Sequence, residues 1–423
     1  MKHVRASLAM VGAIALLTFG STSGADEIKG KVKAVSNLAR TLALEVDGKG
    51  LLVIKFDQDT QFKNAASAAE IIADEVVVVD YAVAGPENKA RTITKVIAPL
   101  PAGVSRITAE ELQKLLKGDA RSLLLVDSRP PSKYHEGHLP RAVSIPLGEL
   151  EKEGEKLLPA DKGQTLVFYC GGLSCVLSPR SAAIAVKLGF RDVRVYPEGE
   201  PGWKKLEYAT ESTLSYVKSG NIVLIDLRPP AQVQAGHIPR AVSIPATALG
   251  KAEAQFPEFK GAPIVFYSDS EADLNEALEL TRDWEYKNAT IFPGGVKAWQ
   301  AAGNALATGA APTRISYVRK LGAGEVSIKD FEDIVKTGSH QIIDARTADE
   351  FRAGHFAGVS NIPSEEMAVR HGEIAANKPA VIHCSTGARA EMAYDILKDK
   401  GIKAVYLRAN VAFDAGGKVA FRE

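Results

Sequence analysis

A pattern that occurs three times in the same order is the strongest constraint on how this chain folds. Each copy has an apolar run that ends in Asp-x-Arg, followed by a Gly-His segment that ends in Ile-Pro. The apolar runs occupy residues 124–129, 223–228 and 342–346, and the Gly-His segments occupy 137–146, 236–245 and 354–363. Because self-similarity along a chain marks repeated structural units, we expect three copies of one domain.

Each copy continues with two further short apolar runs. The first runs are residues 166–169, 264–267 and 380–383, and the second are 193–196, 289–292 and 404–407, with a helical pattern between them. The first two copies close with Gly-x-x-x-Trp motifs that end in Trp203 and Trp299. Short apolar runs that alternate with helical segments predict an α/β fold, a parallel sheet with helices on both faces.

Length and charge limit the possible architectures and partners. The 423 residues exceed what one ordinary core accommodates, so two to four domains are expected. The formal net charge is +1, so the composition does not favour nucleic acid or an anionic membrane surface as a partner.

The N-terminus has the composition of an export signal. Lys2, His3 and Arg5 precede an apolar stretch at 6–19, and small residues follow up to Ala25. This order predicts a secretory signal peptide over residues 1–25, cleaved after Ala25, with an uncleaved anchor as the alternative. No later apolar run is long enough to span a bilayer, so we expect no membrane span in the mature chain, which would be periplasmic or secreted.

Alternating apolar and polar residues predict strands between the signal and the repeats. The strands are expected at 31–35, 41–46, 51–56, 76–83 and 92–97, with a turn at Asp47-Gly48. Residues 26–98 should therefore form a small antiparallel barrel or sandwich, in which the sequence shows no catalytic constellation. Residues 99–103 are rich in proline and form the linker to the first repeat.

The repeats resemble the rhodanese (thiosulfate sulfurtransferase) family. The shared elements are Asp-x-Arg, Gly-His to Ile-Pro, a cysteine loop between strand and helix, and Gly-x-x-x-Trp. The resemblance implies three tandem rhodanese-like domains, at 104–210, 211–308 and 315–423. We refer to them as domains 1, 2 and 3. Their strand-end loops place Cys170, Ser268 and Cys384 at one common position.

The loop of domain 3 has the strongest catalytic pattern. Cys384 follows an apolar strand, and Ser385, Thr386, Gly387 and Ala388 lead to Arg389 and a helix. Small residues let the backbone curl around the sulfur, and inward N–H groups with the helix N-terminus hold an anion beside a thiolate. The resemblance implies a sulfurtransferase loop in which Cys384 becomes a persulfide and residues 385–389 bind the donor. The alternative is a buried cysteine that acts as a small hydrophobic residue.

One departure from the family pattern leaves the donor open. Domain 3 lacks the Gly-x-x-x-Trp closure that the first two copies carry, and only a short tail follows residues 407–413. We therefore expect the rim of the domain 3 pocket to differ from that of domains 1 and 2, and the identity of the donor stays open.

The loop of domain 1 supports two interpretations. Cys170 is followed by Gly171 and Gly172, and Cys175 occupies the position of the family arginine. In one interpretation, Cys170 is a second persulfide site, Gly171 and Gly172 help to bind the substrate, and Cys175 resolves the persulfide by disulfide formation. In the other, the pair is a structural disulfide of an oxidising compartment. Cys-x4-Cys without further nearby ligands does not make a metal site, and no cofactor is expected.

Other recurring residues are expected to be structural. Domain 2 has Ser268 in place of cysteine, with Asp269, Glu271 and Asp273 around it, so we expect it to be inactive and to serve in packing. The repeated histidines should fix a turn, and the repeated Asp-x-Arg pairs should order the loops; these are His138, His237, His355, Asp127/Arg129, Asp226/Arg228 and Asp344/Arg346. Trp203 and Trp299 should be packing residues.

Together these features predict an exported sulfurtransferase. A small sulfur-containing anion such as thiosulfate would be the donor, and a thiol or cyanide would be the acceptor. The alternatives are a polysulfide- or chalcogen-binding carrier with little turnover, and a scaffold of a periplasmic redox complex that docks a redox protein.

Overall fold

A computed structural model describes residues 26–46, 49–73, 75–84, 87–119, 121–414 and 418–422. The predicted signal peptide and the predicted turn at Asp47-Gly48 lie outside these residues. The described chain forms a β-barrel followed by three α/β domains. Within the described ranges, no helix is long and apolar enough to cross a membrane.

The N-terminal domain is a closed five-stranded barrel with one added strand. Its strands are β1 Asp26–Ser36, β2 Thr41–Val46, β3 Gly50–Lys55, β4 Gln61–Lys63, β5 Val76–Ala84 and β6 Glu87–Lys95. The sheet order is β3-β2-β1-β5-β6, and a pairing of Lys55 with Lys89 joins β3 to β6 and closes the ring. Val32, Leu44 and Ile93 are almost fully buried inside. A barrel, one of the two predicted forms, is therefore confirmed; β4 was not predicted, and β6 begins five residues earlier than predicted.

Domain 1 is a five-stranded parallel sheet with helices on both faces. Its elements are β7 Ser105–Arg106, α1 Ala109–Lys117, β8 Leu123–Asp127, α2 Pro131–Glu136, β9 Val143–Ser144, α3 Leu147–Glu153, β10 Thr165–Tyr169, α4 Leu177–Lys187, β11 Val193–Tyr196 and α5 Gly199–Lys205. The strand order is β7-β11-β10-β8-β9, so the cysteine loop follows the central strand. Separate hydrophobic clusters lie on the two faces of this sheet.

Domain 2 repeats the architecture with four strands. Its elements are α6 Leu214–Ser219, β12 Val223–Asp226, α7 Pro230–Ala235, β13 Val242–Ser243, α8 Ala246–Leu249, β14 Ile264–Tyr267, α9 Glu271–Asp283, β15 Ala289–Ile291 and α10 Gly295–Ala301. The order β13-β12-β14-β15 places Ser268 directly after an inner strand.

Domain 3 has the same sheet and a different ending. Its elements are β16 Glu325–Val326, α11 Ile328–Thr337, β17 Gln341–Asp344, α12 Ala348–Ala353, β18 Ser360–Asn361, α13 Met367–Arg370, β19 Ala380–His383, α14 Ala388–Asp399, β20 Ala404–Leu407, β21 Asn410–Phe413 and β22 Val419–Arg422. The order β16-β20-β19-β17-β18 makes β19, which precedes Cys384, the central strand. The predicted α/β fold of all three repeats is confirmed.

The closing elements explain why domain 3 lacks a tryptophan. In domains 1 and 2 the helices α5 and α10 bury Trp203 and Trp299, and each indole N–H donates to a main-chain carbonyl 2.8–2.9 Å away. In domain 3 the β21–β22 hairpin takes this place, and Phe413 and Phe421 pack against Phe356. Both tryptophans are thus packing residues, as predicted, whereas the hairpin was not foreseen.

The barrel contacts domains 1 and 3. Ala43 and Val53 on its strands share a core with Ile396 of α14. On the other side, the main-chain N–H groups of Val76 and Ala98 donate to Ser174 Oγ and Leu173 O in the Cys170 loop, at 3.1 and 2.7 Å. The barrel therefore touches the two domains that carry cysteine.

Candidate active site

The candidate site lies where the parallel strands of domain 3 end. In open α/β sheets, ligands bind beyond the carboxyl ends of the strands. Cys384 follows β19, and the segments that follow the neighbouring strands β17, β18 and β20 meet at the same edge. These segments carry Arg346, Glu365 and Arg408.

The loop curls around the sulfur of Cys384. The N–H of Gly387 donates to Cys384 Sγ at 3.0 Å, and the side chain of Cys384 is fully buried. Gly387 has φ +92°, and a Cβ there would lie 2.6 Å from the Cα of Arg408. Only glycine fits this position, because any larger residue would combine a left-handed backbone with a main-chain clash. The predicted curl is therefore present around Cys384.

Arg389 is held by a carboxylate that the sequence did not reveal as a site residue. Its Nη1 and Nη2 donate to Glu350 at 2.6 and 2.8 Å, and Nη2 also donates to Ser385 Oγ at 2.7 Å. The side chain of Arg389 is fully buried, whereas that of Glu350 is 30% exposed. The guanidinium thus fixes the loop and a neighbouring helix together, in addition to placing a positive charge near the sulfur.

Glu350 is positioned by its own helix start. It belongs to a capping box in which Thr347 Oγ1 accepts from the Glu350 N–H and the carboxylate accepts from the Thr347 N–H. Burial alone would raise the pKa of Glu350, but hydrogen bonds and charge from Arg389 outweigh it, and the pKa falls to about 2. Burial would lower the pKa of Arg389, but the hydrogen bonds with Glu350 and the negative charges of Cys384, Glu350 and Glu365 together outweigh burial and raise the pKa.

The remaining loop residues form the rim. Ser385 and Ala388 are partly buried, and Thr386 is exposed. The N–H of Val411 in the closing hairpin donates to Ser385 O at 2.9 Å. The hairpin therefore covers the loop on the side where a helix lies in domains 1 and 2.

His383, directly before the cysteine, is an unusual buried histidine. It is fully buried, and neither ring nitrogen has a hydrogen-bond partner among the described residues. Phe331, Phe356 and Phe413 surround the ring, and Nε2 lies 3.6 Å from Asp344 Oδ2. Burial lowers its pKa to about 4, and the charge of Asp344 only partly opposes this shift. His383 is therefore neutral at pH 7.

Domains 1 and 2 have tyrosine where domain 3 has His383. Tyr169 OH donates to Asp127 at 2.7 Å and accepts from the Leu139 N–H at 3.1 Å. Tyr267 OH accepts from the Ile238 N–H at 3.2 Å in the same way. The shorter histidine ring leaves this bridge unmade in domain 3.

The loop of domain 1 is closed by a disulfide. Cys170 and Cys175 are bonded, with Cα atoms 6.4 Å apart, a separation typical of disulfides. Cys170 is buried and lies 3.1 Å from Ser178 Oγ, whereas Cys175 is partly exposed. Gly171 is partly buried and Gly172 is buried beside it. A static bridge and an exchanging pair share this geometry, so both interpretations of the sequence stay open.

The loop of domain 2 surrounds its serine with polar partners. Ser268 Oγ donates to Asp273 Oδ2 at 3.1 Å and accepts from the Ser270 N–H at 3.2 Å. Ser270 also caps α9, whose first turn carries Glu271 and Asp273. These carboxylates offset the positive end of the helix, which fits an inactive domain.

The repeated histidines and Asp-x-Arg pairs are structural in all three domains, as predicted. Arg129, Arg228 and Arg346 each pair with the aspartate two residues before them at 2.6–2.7 Å and donate to a main-chain carbonyl eight residues after them. His138, His237 and His355 each place Nδ1 2.9–3.0 Å from the carbonyl four residues before them. These bonds order the turn between the helix that follows the Asp-x-Arg motif (α2, α7 or α12) and the next strand.

Sequence reasoning missed three charged residues near the site: Lys55, Glu350 and Glu365. The capping-box spacing of Thr347 and Glu350 was visible and would have placed Glu350 at a helix start. Nothing in the sequence connects Lys55 of the barrel with Glu365, to which it pairs at 3.1 Å.

Comparisons with known proteins identify the family of the three repeats. The family model of the rhodanese-like domain matches residues 108–206, 210–302 and 327–415. A helix-turn-helix-type transcriptional regulator from Mycobacterium tuberculosis is 36% identical over 98 residues, which cover 23% of this chain and 41% of the relative. Thiosulfate:glutathione sulfurtransferase from Saccharomyces cerevisiae is 30% identical over 94 residues, or 20% of this chain and 68% of the relative.

A solved thiosulfate sulfurtransferase from Pseudomonas aeruginosa aligns with 74% of this chain and 67% of its own, at 17% identity and a TM-score of 0.24. The chain spans less than two thirds of the length of the first curated relatives that it matches. The family matches nevertheless cover more than half of the chain and coincide with the three α/β domains. The chain therefore belongs to the rhodanese family, as a tandem of three rhodanese-like domains.

Proposed function

We propose that this protein is an exported sulfurtransferase that carries sulfur as a persulfide on Cys384. The observation that carries the proposal is the hydrogen bond of 3.0 Å from the Gly387 N–H to Cys384 Sγ, at the N-terminus of α14. A main-chain donor and the positive end of a helix favour a negatively charged sulfur. Membership of the rhodanese family and sulfurtransferases among the relatives support the same chemistry.

The proposed reaction has two steps and needs no cofactor. The Cys384 thiolate attacks the outer sulfur of thiosulfate, the S–S bond of the donor breaks, and sulfite leaves with the bonding electron pair. The terminal sulfur of the persulfide carries the negative charge. An acceptor, which is cyanide in an assay or a thiolate in the cell, then takes that sulfur as thiocyanate or a new persulfide and restores the Cys384 thiolate.

Charge near the sulfur would assist both steps. Burial opposes the raised pKa of Arg389, whereas the hydrogen bonds with Glu350 and the nearby charge of Cys384 raise it. A fixed guanidinium and an inward N–H stabilise anionic sulfur without reorganising during the reaction. The N-terminal sequence supports export, since a basic start, an apolar stretch and small residues precede Asp26.

A thiosulfate:cyanide assay on the mature chain tests the assignment. Thiocyanate production should be lost in Cys384→Ser and retained in Cys170→Ser, with Ser268→Ala as the control in domain 2. Loss in Cys170→Ser and retention in Cys384→Ser would move the active site to domain 1. Absence of thiocyanate in the unmodified chain, with no added sulfur on any cysteine, would refute sulfur transfer.

The full burial of Cys384 favours a second candidate, a sulfur carrier with little turnover. A covered persulfide is protected from solvent thiols and would be released only to a docked partner. The carrier predicts a stable mass increase of one sulfur atom on Cys384 after exposure to thiosulfate, without thiocyanate production. The enzyme predicts that cyanide removes this added mass within the assay.

A further inference from the structure

The barrel reaches the edge of domain 3 with one charged side chain. Lys55 Nζ, at the end of β3, lies 3.1 Å from Glu365 Oε1 and 2.5 Å from Glu87 Oε1. The side chain of Glu365 is only 3% exposed, whereas that of Glu87 is 34% exposed. The ion pair of Lys55 with Glu365 is therefore the one that is more buried, and solvent screens the ion pair with Glu87 more strongly.

Glu365 belongs to the electrostatic surroundings of the cysteine loop. It follows β18 at the sheet edge where Cys384 follows β19, and its charge acts on Arg389 together with that of Glu350. Glu350 thus pairs directly with the guanidinium of Arg389, and the charge of Glu365 acts on it from farther away. Loss of a cation that pairs with Glu365 would therefore make the potential at this edge more negative and less favourable for an anionic donor.

The barrel also packs on the helix that starts at the loop. Ala43 and Val53 of the barrel share a core with Ala393 and Ile396 of α14. The same domain thus supplies both the apolar cover of this helix and the cation for Glu365. An independent appended module would not be expected to do both.

We propose that the barrel is part of the Cys384 site, and that Lys55 tunes this site for anionic sulfur donors by neutralising Glu365. Lys55 is a positioning and specificity residue here: its partners in the described part of the chain are Glu87 and Glu365, so it acts on the donor through the local potential. The inference uses the proposed sulfur transfer only to name the donor. The potential at Cys384 can be measured without any turnover.

Alkylation of Cys384 by two reagents of different charge measures this potential. Iodoacetate is an anion, and iodoacetamide is neutral and nearly the same size. Both must reach the same buried sulfur, so the ratio of their rate constants cancels the rate of loop opening and retains the charge effect. The reaction is run on the unreduced mature chain, where Cys170 and Cys175 are bonded, and mass analysis assigns the label.

Lys55→Met, which keeps the length of the side chain, should lower the iodoacetate to iodoacetamide ratio by about threefold to tenfold. The double variant Lys55→Met with Glu365→Gln should restore it, and Lys55→Arg should retain it. Lys89→Met is the matched control, because Lys89 pairs with Lys55 across the strands but forms its own ion pair with Asp57 on the barrel. It should leave the ratio unchanged.

Three results would overturn the inference. An unchanged ratio in Lys55→Met is one, and failure of Glu365→Gln to restore it is another. The third is a rise of both rates in Lys55→Met to those of the urea-unfolded chain, which would show that Lys55 only holds the barrel in place. If the ratio responds as expected while no persulfide forms, the role of Lys55 stands and the proposed sulfur transfer fails.

Discussion

Glu350 and Arg389 face each other in a two-pronged ion pair, with N–O distances of 2.6 and 2.8 Å. Glu350 lies in the first turn of α12, and Arg389 lies in the first turn of α14. The pair therefore joins the segment that follows β17 to the segment that follows the central strand β19. It holds the cysteine loop against the start of α12.

Glu350→Gln should loosen the cysteine loop and lower the stability of domain 3 by about 2 kcal/mol at pH 7, less than for a wholly buried pair because Glu350 is partly exposed. The folded pKa of about 2 lies below the usual 4.5, so the pair stabilises fully above pH 4.5 and this contribution disappears as the pH falls toward 2. The Glu350→Gln variant should therefore lack the part of the stability that decreases between pH 4.5 and pH 2. The measurement is the urea dependence of Cys384 alkylation, because the three tryptophans all lie in domains 1 and 2.

Glu373→Gln is the control for this substitution. Glu373 pairs with Arg370 at 2.7 Å in the same domain, but its side chain is 52% exposed. Exposed pairs contribute little, so the urea midpoint should not move. Equal effects of the two substitutions would show that the Glu350 pair has no special role in holding the loop.

His383 should make domain 3 less stable in mild acid. Its folded pKa of about 4 lies below the usual 6.5, so the unfolded chain binds the proton first as the pH falls. Stability is therefore complete above pH 6.5 and decreases toward pH 4, by about 2 kcal/mol at pH 5. His383→Phe, which suits the surrounding phenylalanines, should abolish this dependence of Cys384 alkylation in urea. A wild-type midpoint that does not move between pH 7.5 and 5 would contradict the prediction.

Most of the fold could be predicted from the repeat because its motifs form their structure through local contacts. Asp-x-Arg and Gly-His recur since each makes the same local bonds in every domain, and the short length of apolar runs such as 380–383 favours buried strands over helices. The pairing of Glu350 with Arg389, and of Lys55 with Glu365, joins residues that are 39 and 310 positions apart. No local periodicity encodes such contacts, which depend on how the strands and domains are arranged.

The closing hairpin of domain 3 was missed for a related reason. Residues 410–422 form a short segment in which apolar and polar residues partly alternate. Nothing in the sequence indicates which surface this segment covers. The structure shows that Phe413 and Phe421 fill the space that a tryptophan helix fills elsewhere. The buried state of His383 follows from this same cover.

The disulfide of domain 1 should be coupled to the barrel. Leu173 and Ser174 lie inside the ring that Cys170 and Cys175 close, and they accept the N–H groups of Ala98 and Val76. Reduction should free this loop and raise hydrogen exchange at both amides by about tenfold, as expected for a local opening that becomes easier. The amide of Val96, which donates to Val76 O inside the barrel, is the reference and should change less.

A thiol count accompanies that measurement. The unreduced, denatured chain should show one reactive thiol, Cys384, and the reduced chain should show three. Three thiols without reductant, in a chain kept oxidised, would mean that the pair in domain 1 does not form a stable bond.

Restoring a cysteine to domain 2 should not restore sulfur uptake. Ser268→Cys, in a chain whose three natural cysteines are changed to serine, places a thiol where Asp273 Oδ2 lies 3.1 Å from the present oxygen. Glu271 and Asp273 occupy the first turn of α9, so they cancel the helix potential that favours a thiolate and repel thiosulfate. We expect less than about a hundredth of the persulfide yield of a chain that retains only Cys384, because loss of one preorganised group that stabilises developing negative charge slows a reaction by about a hundredfold or more. Mass analysis after thiosulfate treatment measures the yield.

A yield within tenfold of that of the chain that retains only Cys384 would contradict this prediction. It would show that the acidic loop is no obstacle, and that domain 2 is inactive only because it lacks the thiol.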